Sequence, residues 1–316
     1  MRNVGKSGLR VSLVGVGCNN FGARTDFTET QRVVHKALDL GITLFDTADI
    51  YGNRGNSEEF LGRILGDRRK DIVLATKFGM AMDDAGKLKG GSRHYIMSAV
   101  ESSLRRLKTD WIDLYQFHIP DPSTPIEETL RALDDLIRFG KVRYVGCSKF
   151  QGWQVIEAHW TARLASISPF SSCQEEYSLL ARGAEQELIP AMEACGVGLL
   201  PYFPLASGLL TGKYKQDDPL PAGSRFTKMP DQASKYLTES NWAVVRELTQ
   251  FCAERGRTLL DLAFSWLVSK PVVSSVIAGA THPEQIEQNV RAAEWVLSSE
   301  DLNQIDRITR ARATSS

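Results

Sequence analysis

Short runs of β-branched and apolar residues recur along this chain, each followed by a longer stretch with the periodicity of an amphipathic helix. That alternation restricts the fold more than any other feature. The runs occupy residues 11–17, 43–47, 71–77, 112–118, 142–148, 170–177, 197–203 and 274–279. The helical stretches are 28–40, 57–65, 95–107, 125–139, 151–163, 183–194, 240–269 and 283–296. The runs are too short to be stable as helices, and most are bounded by Gly, Pro or charged residues, so they read as strands. Strands that alternate with helices are joined by crossovers, and crossovers build parallel sheets covered by helices.

An open doubly wound sheet would carry a glycine-rich dinucleotide turn after its first strand. The nearest candidate, Gly15-x-Gly17 followed by Gly22, has the wrong third spacing. Eight strand-helix units in 316 residues instead predict an α/β fold of the (β/α)8 TIM barrel type, one domain spanning residues 1–316. Two segments lie outside the repeat. Residues 2–12, with Gly5 and Gly8, read as a short N-terminal hairpin closing the barrel floor. Residues 204–236 read as a long loop after strand seven, rich in Gly and Pro, of the kind that serves as a lid or binding loop.

The 38 basic residues balance the 38 acidic ones. No summed positive field gathers nucleic acid or an anionic membrane. The first twelve residues hold no signal-peptide core, and no apolar run is long enough to span a bilayer. The cysteines, Cys18, Cys147, Cys173, Cys195 and Cys252, are odd in number and never spaced C-x-x-C. They read as reduced thiols of a cytoplasmic protein, with neither a disulfide framework nor a metal site.

In a barrel, reactive side chains stand at the carboxyl ends of the strands. Reading these ends gives Asp46, Lys77, His118, Ser148, Gln174, Tyr202 and Gly279, with Tyr51 on the loop after Asp46. Each has a plainer reading: Asp46 as a cap, Lys77 as a snorkelling lysine, His118 as a structural histidine. Their joint placement favours one site. An ammonium about 4 Å from a phenol favours the phenolate by up to ~4 kcal/mol at an effective dielectric of ~20, roughly three pKa units. Tyr51 beside Lys77 would then donate a proton, Asp46 would hold Lys77 charged, and neutral His118 would orient a carbonyl. These roles protonate an oxygen but supply no electrons, so a bound reductant is implied, most simply a nicotinamide. Ser148 and Gln174 suit a carboxamide, and Tyr202 offers a flat face. Thr281-x-x-Glu284, with Pro283, predicts a capping box opening a helix whose amides could receive a phosphate.

These residues resemble the aldo-keto reductase superfamily over essentially the whole length. The resemblance is carried by Phe45-Asp46-Thr47-Ala48-Asp49-x-Tyr51-Gly52 followed by Ser57-Glu58, by Ala75-Thr76-Lys77, and by Asp113-Leu-Tyr-Gln-x-His118. Gly146-Cys-Ser148, Gln174-x-x-Tyr177-Ser178-Leu179 and Ser207-Gly208-Leu-Leu-Thr-Gly-Lys213-Tyr214 extend it. It implies reduction of an aldehyde or ketone by NADP(H), less often NAD(H), bound without a Rossmann domain. The family's Asp, Tyr, Lys and His fall on Asp46, Tyr51, Lys77 and His118. Ser148 and Gln174 would meet the carboxamide and Tyr202 the nicotinamide ring. Phe203, Leu205, Ser207 and Lys213 would follow the pyrophosphate; Gly279, Thr281, Gln285 and Asn289 would surround the adenosine phosphate.

Three positions depart from the family pattern. Lys149 replaces the usual Asn after Ser148, Glu175 stands where an Asn is frequent, and residues 279–289 contain no Lys or Arg, only His282. Two other readings share the barrel: a Schiff-base lyase or aldolase using Lys77, and a nucleotide-holding regulatory protein like the potassium-channel β subunits that resemble this family. Phe21, Phe78 and Phe150 serve either an apolar substrate pocket or the core. The loops 19–28, 78–95, 118–125 and 204–236 would set specificity.

Overall fold

The computed structural model describes residues 1–216 and 218–310. Residue 217 and the end of the expected domain, 311–316, lie outside the described residues. A two-stranded antiparallel hairpin, β1 (Arg2–Asn3) and β2 (Arg10–Val11), precedes the barrel and pairs Arg2 with Val11. The barrel strands are β3 (Val14–Gly17), β4 (Leu44–Asp46), β5 (Val73–Phe78), β6 (Ile112–Phe117), β7 (Val142–Ser148), β8 (Ser172–Glu176), β9 (Gly198–Tyr202) and β10 (Val276–Gly279). All eight run parallel in the order β10-β3-β4-β5-β6-β7-β8-β9. The seam between β9 and the segment entering β10 is bonded too. Leu199 N donates to Val272 O at 2.7 Å and Ser274 N donates to Leu199 O at 2.8 Å. The (β/α)8 barrel and its hairpin are therefore as the sequence predicts.

The helices are α1 (Phe27–Asp39), α2 (Tyr51–Ile64), α3 (Arg93–Leu107), α4 (Ile126–Arg138), α5 (Gly152–Leu164) and α6 (Leu188–Cys195), then α7 (Arg225–Lys228), α8 (Pro230–Tyr236), α9 (Glu239–Ala253), α10 (Leu259–Val268), α11 (Pro283–Ala292) and α12 (Ser299–Arg310). Local chemistry fixes several starts. Asp26 accepts from Glu29 N ahead of α1, and Ser92 accepts from Tyr95 N ahead of α3.

Some boundaries differ from expectation. The helix expected over 240–269 is two helices, because the backbone turns left-handed at Gly256 and Thr258 opens a new capping box with Asp261. The long loop 204–236 folds into a 3-10 segment (Ala206–Thr211) followed by α7 and α8. Helix α12, unforeseen, is tied to the body where Arg182 donates to Asp306 and Thr309.

The strand period of two organises the interior. Leu44, Ala75, Leu114, Leu200 and Ile277 pack with Val4, Leu9 and Val11 of the hairpin region as an apolar plug inside the barrel. Two residues further along the same strands stand Asp46, Lys77, Gln116, Tyr202 and Gly279. The residues of opposite parity, Phe45, Leu74, Tyr115, Phe117 and Leu199, join the larger core beneath the helices. Phe21, Phe78 and Phe150 belong there, with Phe78 stacked on Phe117 at 5.1 Å. The core reading of these three is the one that holds.

Candidate active site

The polar layer above the apolar plug forms the floor of a cleft of about 1160 Å³. Asp46, Tyr51, His118, Ser148, Gln174 and Tyr202 line one part of it; Phe203, Leu205, Ser207, Lys213, Gly279, Thr281, Gln285 and Asn289 line the remainder. Lys77 lies fully buried behind Tyr51. The structure thus brings together every candidate site residue named from the sequence.

Asp46 is saturated. Its Oδ2 accepts from Lys77 Nζ at 2.6 Å, and its Oδ1 accepts from Gln116 Nε2 at 2.9 Å and Gln174 Nε2 at 3.0 Å. The amide of Gln174 is therefore committed to Asp46, leaving its carbonyl oxygen for a partner in the cleft. Gln116, opposite Lys77 in the β5–β6 register, was not singled out as a strand end. Strand parity alone would have found it, since it sits two residues past Leu114 and two before His118. Gly146 leaves its space, because a Cβ there would stand 2.2 Å from Ser172 Oγ and 3.3 Å from Gln116 Cγ.

Lys77 Nζ also donates to Thr47 O at 2.9 Å and to Tyr51 Oη at 3.5 Å, which uses all its protons. Burial alone would depress this lysine, but the Asp46 carboxylate and the Tyr51 phenol outweigh it and hold the pKa above the usual value. A permanently charged ammonium is no nucleophile, which argues against Schiff-base chemistry at Lys77.

Tyr51 departs from the simple expectation. Burial pushes its phenol above the usual tyrosine value, and Lys77 pulls it back only in part because Asp46, on the same ammonium, pushes the other way. An isolated lysine–phenol pair overstates the acidity; the carboxylate must be counted with the lysine. The phenol consequently stays protonated at neutral pH, the state a proton donor needs before reaction. The start of α2 is kinked right after Tyr51: Gly52, Asn53 and Arg54 are successively left-handed, with φ of 68°, 62° and 65°, a strained conformation for Asn53 and Arg54. A Cβ at Gly52 would lie 2.5 Å from Phe21 O.

His118 meets Tyr51 edge-on, ring centres 5.7 Å apart. Burial pushes its pKa down to about 2, helped by the charges of Lys77 and Lys149. The imidazole is therefore neutral throughout the physiological range.

Elsewhere in the cleft, Tyr202 Oη donates to Glu175 Oε1 at 3.1 Å, which gives Glu175 a role: it fixes the Tyr202 ring. Phe203, Ala206 and Ser207 are left-handed, with φ of 50°, 47° and 56°. Ser207 Oγ donates to Gln232 Oε1 at 2.9 Å, and Lys213 Nζ stands 4.9 Å from the Tyr214 ring. Arg225, which sequence reading passed over, lines the cleft with its guanidinium 5.4 Å from the Phe203 ring centre. Burial lowers its pKa, the nearby Arg24 adds to this, and no carboxylate pairs with it among the described residues. It opens the short α7 within a Gly- and Pro-rich segment without periodicity, so no sequence pattern marked it.

At the far end the expected Thr281–Glu284 capping box is not formed. The helix cap lies one residue later, at His282, and Gln285 Oε1 accepts from Thr281 N at 2.7 Å and from His282 N at 3.4 Å. Pro283 at the first helical position shifts the cap onto the residue before it. His282 itself pairs with Glu29, Nδ1 to Oε1 at 2.9 Å.

No helix among the described residues is long and apolar enough to cross a membrane. In comparisons with known proteins, the family described as "Aldo/keto reductase family" matches residues 13–310. The chain is 36% identical over 315 residues to "Uncharacterized oxidoreductase YrpG" of Bacillus subtilis (strain 168), covering 96% of this chain and 94% of that one. It is 38% identical over 324 residues to "Probable voltage-gated potassium channel subunit beta" of Arabidopsis thaliana, covering 98% and 97%. It is 36% identical over 317 residues to "L-glyceraldehyde 3-phosphate reductase" of Escherichia coli (strain K12), covering 96% and 91%.

Proposed function

We propose that this chain, which belongs to the aldo/keto reductase family, is an NAD(P)H-dependent cytoplasmic oxidoreductase that reduces the carbonyl of a small aldehyde or ketone to an alcohol, with Tyr51 as general acid. The observation that carries the reading is the meeting of a protonated phenol, a charged lysine and a neutral imidazole on the floor of one cleft.

The residues present suit a dinucleotide. The carbonyl oxygen of Gln174 and the hydroxyl of Ser148 are offered to a carboxamide, and Tyr202 is held as a flat wall by Glu175. Lys213 and Arg225, neither with a carboxylate partner among the described residues, suit phosphates, beside Phe203, Leu205 and Ser207. Gly279, Thr281, Gln285 and Asn289 form the adenosine end. When bound, the dinucleotide supplies hydride to the carbonyl carbon.

The chain's own residues do the rest. His118, permanently neutral, orients the carbonyl oxygen by a hydrogen bond, an effect of about 3–4 kcal/mol when a developing oxyanion is involved. Tyr51 hands its proton to that oxygen as negative charge gathers there. Lys77 stabilises the phenolate left behind, and Asp46 with Gln116 and Gln174 keeps the ammonium in place. The test is loss of NADPH or NADH absorbance with a panel of aldehydes, together with quenching of tryptophan and tyrosine fluorescence by each nucleotide. Absence of both would end this reading.

A second reading is favoured by relatives named as potassium channel β subunits: a regulatory protein that retains the nucleotide. Tight nucleotide binding with negligible turnover would support it over the first.

A further inference from the structure

Among the acidic groups around the floor of the cleft, each is already engaged. Asp46 holds Lys77, Glu175 accepts from Tyr202, and Glu176 is bonded by Lys235 and Tyr236. The buried pair cancels its own charge, and His118 is neutral. Lys149 is different. It lines the same cleft, next to Ser148 at the end of β7, and its side chain is exposed with no carboxylate or other hydrogen-bond partner among the described residues. The β6–β7 register pairs Phe117 with Cys147, so His118 and the Ser148–Lys149 step leave neighbouring strand ends, and the charge of Lys149 reaches the imidazole that orients the carbonyl in the reading above. The backbone at Lys149 is left-handed, φ 59°, with its N–H fixed on Gln174 O at 3.0 Å. A residue with a Cβ adopts that conformation rarely, and such strain gathers at functional positions. Among the described residues, Lys213, Arg225 and Arg24 also line the cleft without an ion pair; the first two come from the segment after β9, and Arg24 lies near Arg225.

Resting on the reductase reading above, we propose that Lys149 is the specificity residue of the acceptor end and that the carbonyl substrate carries an anionic group, a carboxylate or a phosphate monoester, which pairs with this ammonium. An uncompensated cation in a cleft attracts an anion and raises its local concentration. Ile50 and Met80 of the same lining are apolar and offer an anion no competing carboxylate.

The experiment compares two matched pairs: 4-oxobutanoate with butanal, and glyceraldehyde 3-phosphate with glyceraldehyde. In the native chain, kcat/KM for the anionic member should exceed that for the neutral one by roughly tenfold or more, the worth of one charge-assisted hydrogen bond, and the advantage should shrink as salt is added. In Lys149→Gln the ratio should fall toward one; in Lys149→Arg it should be retained. The pair with the larger response identifies the anionic group. A native ratio near one, or a ratio unchanged in Lys149→Gln, overturns the proposal while leaving the reductase reading intact. A weakened NADPH Kd in Lys149→Gln with the acceptor ratio unchanged also overturns it, by placing the ammonium on the nucleotide. If the native chain oxidises no nucleotide, the reductase reading fails, and calorimetry decides on Lys149 separately: a Kd for 4-oxobutanoate weakened roughly tenfold in Lys149→Gln supports its role, and an unchanged Kd refutes it.

Discussion

Lys77 and Asp46 form an ion pair shut away from water, 2.6 Å apart, with 0% and 3% of their side chains exposed. Neither charge is tolerable there alone, since burying an unpaired ion costs several kcal/mol. The pair presents one proton-bearing face to Tyr51 and is braced from behind by two glutamines.

Breaking this pair should cost stability before it costs chemistry. Asp46→Asn is expected to lower unfolding free energy by about 3–5 kcal/mol, read from urea midpoints at constant m-value. The double variant Asp46→Asn/Lys77→Met should recover much of that stability and none of the activity. Equal stability of the single and double variants would contradict the pairing.

Removing the proton donor should leave binding alone. Tyr51→Phe is expected to quench normally with NADPH and to lose at least ~10²-fold in carbonyl reduction. Near-native turnover would remove Tyr51 from its assigned role.

The pH profile follows from the two aromatic groups. With the His118 pKa pushed down to about 2 and the Tyr51 phenol held above its ordinary value, neither group changes charge between pH 5 and about 9. A plot of log kcat/KM should therefore show no limb near pH 6.5 from His118. A limb at that pH that disappears in His118→Gln would show that the imidazole titrates.

Asp49 should govern part of the pH dependence of stability. It is buried, accepts a weak bond from Tyr95 of α3 at 3.5 Å, and has one carboxyl oxygen without a partner among the described residues. Burial, then the charge of Glu58, pushes its pKa up to about 8, against the opposing pull of Arg106. From the unfolded value near 4 up to about 8, the folded chain keeps a proton that the unfolded chain has released, so this residue's contribution falls as pH rises. Asp49→Asn, which resembles the protonated acid, should gain in Tm relative to the native chain between pH 5 and pH 8. A Tm difference that stays constant across that range would contradict the assignment.

Nucleotide preference should turn on a pair outside the catalytic layer. Glu29 occupies the ring nitrogen of His282 and places a carboxylate beside it. His282→Arg combined with Glu29→Gln should shift the Kd ratio toward NADPH by roughly tenfold, since it adds a phosphate-pairing group and removes a repelling one. An unchanged ratio would place the adenosine phosphate elsewhere.

The barrel was legible because strand and helix periods differ and alternate; its helix ends were not, because capping is decided by contacts that periodicity does not record. The break at Gly256 lies inside a continuous apolar pattern, and the cap at His282 depends on where Pro283 seats in the first turn. Asp46, Lys77 and His118 were readable as strand ends. Gln116 was not, being interior to its strand, although the two-residue period that places Leu114 in the plug also places it. Arg225 was invisible for a different reason: its position depends on how the segment after β9 folds back over Phe203. The acidity of Tyr51 was misjudged from sequence because it sums three competing effects, of which only the lysine was counted.

The hairpin plug has a kinetic consequence. With Val4, Leu9 and Val11 stoppering the amino end and aliphatic side chains packed above them, that end of the barrel is closed by the described residues. Under the proposed function, coenzyme and acceptor would pass the same opening in turn, and the molecule that reached the floor first would become part of the wall against which the second docks.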